Sequence, residues 1–147
     1  MNIPEKPLGP DFRERAKAND VPVARLIGFE AKDIAGGRAT VVLAAESQHA
    51  NPMGTFTAAF FATLPMPQWA WRLQAPSQPT SPSLLSNWKI NFFRPVWQAQ
   101  LKAEGTVVQR GRTIGYMECS LTDEENRLVA KAASTCMVFR GQRATGR

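Results

Sequence analysis

The chain has 147 residues, 44% of them apolar, which predicts one domain with a single sizeable core. Its net charge of +6 is dispersed, with RGQRATGR at the C-terminus as the one basic cluster. No basic stripe is interleaved with aromatics, so nucleic acid is not an expected partner. The opening MNIPEKPLGPDFRERAK lacks the apolar centre of a signal peptide, and no run approaches the roughly 20 apolar residues of a membrane span. A cytoplasmic protein without membrane attachment is expected.

In chain order, PDFRERAKA predicts a short charged helix over 10–18, within an N-terminal extension of residues 1–22. The main domain is expected over 23–140, followed by a basic tail of 141–147. VPVARLIGFEAKDIAGG reads as an apolar turn and a strand ending at Gly36 and Gly37, and RATVVLAAE as its hairpin partner. SQHANPMGTF is a loop whose turn residues are Asn51, Pro52 and Gly54. His49, the only histidine, reads as a loop residue. Strands are predicted near 83–94, 98–110, 113–123 and 127–138, joined by the turns QRGR and TDEEN. Cys119 and Cys136 fall in strand-like stretches without metal-ligand spacing, so free thiols are expected, with neither a metal nor a cofactor. The sum is an α+β layout, an antiparallel sheet with a helix on one face.

The helix belongs where TAAFFATLPMPQWAW stands, at 57–71, and that stretch has neither helical nor strand periodicity. Residues 57–88 hold five of the eleven prolines and three of the four tryptophans, but Arg72 is their only charge. Ordinary composition would give about eight charges over such a length. Two prolines inside a helix, Pro65 and Pro67, would cost it roughly 6 kcal/mol.

HANPMGTF, the strand KINFFRPV and the run VVQRGRTIGYMECSLTDEENRLVAKAASTCMVF resemble hotdog-fold acyl-CoA thioesterases of the phenylacetate (PaaI-like) type. The resemblance spans about Val23 to Arg140, except its middle. It implies a hotdog fold, an antiparallel sheet wrapped around one central helix, in a homodimer or homotetramer acting on acyl-CoA. The family's loop runs on into G-T-x-H-G-G, with an acidic helix residue nine positions after the histidine. Here Thr57, Ala58 and Ala59 stand where H-G-G belongs, and Met66 where the acid belongs.

The genetic code supplies a cause. If one base is lost after Phe56 and one gained near Trp88, the codons between are read out of frame. The other frame permits HGGFFCDIADAAMG in place of TAAFFATLPMPQWA, and VTSLEL in place of SLLSNW. Most steps use codon freedom, but three do not. Alanine at the place of Pro67, glycine at the place of Ala70 and leucine at the place of Trp88 are forced.

By resemblance, a carboxylate at the place of Met66 is the nucleophile or general base, and Thr57 holds the place of an orienting histidine. Backbone N–H groups at Ala58 or Ala59 polarise the thioester carbonyl, as unpartnered groups at a helix start can. Asn51 binds the carbonyl side or holds the attacking water. Leu85 holds the place of a water-positioning hydroxyl, and the other frame gives serine there. Arg110 and Arg112, flanking Gly111, lie near the coenzyme phosphates. Without an ionisable residue at 66, poor hydrolysis is expected. The alternative is a non-catalytic hotdog protein that binds acyl-CoA or another apolar ligand through Phe60, Phe61, Trp69 and Trp71.

Overall fold

A computed structural model describes residues 22–56 and 83–138. The helix expected over 10–18, residues 57–82 and the basic tail lie outside the described residues. The elements are helix α1 (Pro22–Ile27) and strands β1 (Phe29–Ala35), β2 (Arg38–Ala45), β3 (Ser83–Phe92), β4 (Ala99–Arg110), β5 (Ile114–Thr122) and β6 (Leu128–Val138), with a 3-10 turn at Ser47–His49. All strand pairs are antiparallel, in the order β1-β2-β4-β5-β6-β3.

Alternation decides which face is inside, because successive strand residues point to opposite sides. Val41, Ala103, Leu121 and Ala130 form one cross-strand row and are all buried. Leu43 and Leu101 pair in the next row, and α1 adds Ala24 and Ile27 to the same core. The other face carries Lys102, Glu104, Glu118 and Lys131, with Lys131 Nζ 3.4 Å from Glu118 Oε2.

The expected hotdog arrangement is corrected here. Among the described residues the only α-helix is α1, and the sheet is open, with β1 and β3 at its two edges. Six residues make fewer than two turns, about 9 Å, too short for a sheet whose longest strand has twelve residues to wrap. Gly28 stops α1: its φ of 88° ends the helix, and its N–H donates to the Ala24 carbonyl at 2.7 Å. The stretch 57–71, where the long helix is expected, is outside the described residues.

β3 crosses the far end of the anomalous stretch. It pairs with β6 from Ser83↔Val138 to Phe92↔Ala130, with one register shift between Leu85 and Asn87. Backbone pairing makes few demands on side-chain identity; side-chain environment makes more. Trp88, opposite the buried Ser134, packs on the core with its indole N–H buried and without an acceptor among the described residues. It is the only such side-chain atom among the described residues.

Candidate functional site

After β2 the chain turns through Ser47–His49 and enters the loop of Asn51. The Asn51 carboxamide organises that loop: its Oδ1 accepts the N–H groups of Met53 at 2.9 Å and Thr55 at 3.2 Å. Its Nδ2 donates to Thr55 Oγ1 at 2.8 Å. The Asn51 N–H donates to the Thr55 carbonyl, and the Gly54 N–H to the Asn51 carbonyl, both at 2.8 Å. Gly54 has φ 80°, a conformation glycine adopts without penalty. An asparagine amide has two N–H donors, so one remains uncommitted among the described residues.

The loop is pinned at its far side, where the Phe56 N–H donates to the Val96 carbonyl at 2.6 Å. The segment after β3 is pinned in turn to β6, the Phe93 N–H donating to the Val129 carbonyl at 2.8 Å. Between them lies a cavity of about 370 Å³ lined by Asn51, Thr55, Phe56, Phe92, Phe93, Arg94, Pro95, Val96 and Val129. Its walls are mostly aromatic and aliphatic, with Arg94 the one charged lining residue among the described residues. Residues 68–130 match the Thioesterase superfamily model.

Among the many solved structures that resemble the chain, three illustrate the likeness. A Haemophilus influenzae thioesterase aligns at 18% identity and TM-score 0.77, covering 86% of this chain and 90% of that one. The Escherichia coli PaaI protein of the phenylacetic acid degradation operon aligns at 19% and 0.72, covering 87% and 91%. A variant of the phenylacetic acid degradation protein PaaI from Thermus thermophilus aligns at 22% and 0.69, covering 81% and 100%. At these identities the likeness is one of fold. No curated protein matches the chain. The family match begins at residue 68, so Thr57, Ala58, Ala59 and Met66 fall outside it, while 68–88 fall inside.

Of the expected site residues, Thr57, Ala58, Ala59 and Met66 lie outside the described residues, as do Phe60, Phe61, Trp69 and Trp71. Asn51 lines the cavity. Leu85 and Arg110 share the opposite end of the sheet, in the cross-strand row Leu85–Cys136–Gly115–Arg110. Phe92, at the cavity, is seven residues along β3 from Leu85, about 23 Å at strand rise. Arg112 follows in the β4–β5 hairpin, where the Gly111 N–H donates to the Ile114 carbonyl at 2.8 Å. One copy of the chain therefore does not gather Asn51, Leu85 and the two arginines.

The thiols are not nucleophile candidates. Burial, with Glu104 nearby, pushes Cys119 up to about 12, and burial raises Cys136. Both therefore stay protonated at neutral pH. No cluster of metal-ligating side chains occurs among the described residues, and no helix there is long and apolar enough to cross a membrane.

Sequence reasoning passes over two residues. Arg94 stands in the strand motif KINFFRPV without a role. His49 lies in the connecting turn, as expected of a loop residue, but is 2% exposed. The spacing of Glu46 and His49, three apart before a turn, is a reciprocal-cap pattern that could have signalled this.

Proposed function

We propose that this chain derives from an acyl-CoA thioesterase that hydrolyses aryl- or medium/long-chain acyl-CoA, and that its catalytic segment is impaired as written. The observation that carries the reading is the Asn51 cavity. An apolar, aromatic-walled space with one guanidinium and one amide donor suits an apolar acyl group on an anionic carrier. The thioesterase match over 68–130 supports thioester hydrolysis as the reaction class.

Water attacks the thioester carbonyl, the C–S bond breaks, and the acid and the coenzyme thiol leave. Asn51 Nδ2–H holds the carbonyl or the water. Ala58 or Ala59 N–H groups face the developing oxyanion, and Thr57 stands where an imidazole would orient the thioester. Met66 stands where a carboxylate would act, and a thioether cannot ionise. Leu85, Arg110 and Arg112 belong to the same site through a neighbouring copy, so the working form is a homodimer or homotetramer in the cytoplasm.

The frame explanation for 57–88 gains independent support at Trp88, where the other frame forces leucine. That is the position whose present side chain buries an unpartnered N–H.

The test replaces 57–88 with the other-frame translation, beginning HGGFFCDIADAAMG and ending VTSLEL. Hydrolysis of aryl- and fatty-acyl-CoA should rise by about 10²–10⁴, the scale of a general base. A restored chain that binds acyl-CoA but leaves every ester intact would favour the non-catalytic binding protein. Sequencing the encoding DNA reads the paired base changes directly.

A further inference from the structure

His49 is buried in a stretch whose neighbours Glu46, Ser47, Gln48, Pro52, Met53 and Gly54 are exposed. Both ring nitrogens are engaged. Nδ1 accepts the Glu46 N–H at 3.1 Å, so the ring proton is on Nε2, which donates to the Ile27 carbonyl at 2.7 Å. The ring lies 6.2 Å, centroid to centroid, from that of Phe56, a wall of the cavity. One imidazole thus ties the last carbonyl of α1 to the end of β2 and packs on the far side of the Asn51 loop. A neutral imidazole suits this place because it presents one donor and one acceptor on opposite edges of a rigid ring.

We infer that His49 is the positioning residue that sets Asn51 and Phe56 against the cavity, an inference that rests on reading the cavity as the ligand site. Asn51 is two residues from His49, and Phe56 is held by His49 on one side and by the Val96 carbonyl on the other. Without the two ring bonds, the loop keeps its internal Asn51 bonds but loses its fixed place relative to α1 and β3. The Asn51 amide then keeps its chemistry and loses its aim.

The test compares His49→Phe and His49→Gln with the unaltered chain. Phenylalanine fills the space without either bond, whereas the glutamine amide can still reach the Ile27 carbonyl. In His49→Phe, amide exchange at Asn51, Gly54 and Phe56 should quicken roughly tenfold or more, while the interior amides of β5 and β6 hold their rates. His49→Gln should recover part of that protection. Octanoyl-CoA, followed by calorimetry, should bind more weakly to His49→Phe and recover with His49→Gln. Equal quickening across loop and sheet would show an ordinary core residue and overturn the inference, as would unchanged exchange in the loop. Failure of the unaltered chain to bind octanoyl-CoA would count against the acyl-CoA reading, and loop exchange alone would then decide the role of His49.

Discussion

An indole N–H taken out of water without an acceptor costs about 1–3 kcal/mol, and Trp88 is so placed. Trp88→Phe keeps most of the ring volume and removes the donor. Chemical denaturation should show the variant more stable by about 1 kcal/mol; equal or lower stability would mean that the N–H finds a partner. Asn51 is the converse case, since its carboxamide accepts two backbone N–H groups and donates to Thr55. Asn51→Ala should cost about 1–3 kcal/mol in the same measurement. Its turn role was legible from Asn-Pro-x-Gly. Its partners were not, because they depend on how the loop closes on itself.

Acid should act on the turn between β5 and β6. Asp123 Oδ1 accepts the N–H groups of Glu125 at 3.0 Å and Arg127 at 2.9 Å, and Oδ2 lies 2.8 Å from Arg127 Nε. Burial alone would raise the carboxyl, but these donors and the guanidinium charge together hold it below the usual carboxylate range. A carboxyl depressed in the folded state contributes stability above its unfolded value, near 3.9, which is lost as pH falls through its folded value. The melting-temperature difference between the unaltered chain and Asp123→Asn should be constant above about pH 5 and shrink below about pH 4. A difference that persists at low pH would assign the turn to shape rather than charge. The β4–β5 hairpin has a steric constraint instead: a Cβ on Gly111 would sit 2.7 Å from the Ile114 carbonyl oxygen. Backbone cannot yield there cheaply, so Gly111→Ala should destabilise by about 1–3 kcal/mol. Both hairpins were legible from alternation and turn residues, and the four later strands lie within two residues of their expected bounds. The long helix is expected from the α+β layout and the resemblance rather than from the periodicity of 57–71, and the only α-helix among the described residues is α1.

At the scale of the molecule, the written chain should turn over acyl-CoA with kcat/KM below about 10⁴ M⁻¹s⁻¹, the lower end of ordinary enzymes. A higher value would refute the assignment of Met66. Most of the sheet was readable because a half-buried strand writes its face into every second residue. The site was readable only where it is local. Asn51 and its loop are contiguous, whereas His49 bonds to Ile27, 22 residues away, and Leu85 and Arg110 share a cross-strand row only through pairing register.

On the proposed site between two copies, the distance along the strands between Asn51 and the row of Leu85 and Arg110 would make the gene product divisible. Two copies of the restored chain, one carrying Asn51→Ala and the other Arg110→Ala, should each fail alone. In an equal mixture, half the pairs are mixed, and each mixed pair has one site with neither substitution. Refolding the two together should therefore return about a quarter of the unaltered activity. Such complementation between two defective alleles is closed to an enzyme whose working groups all sit in one copy.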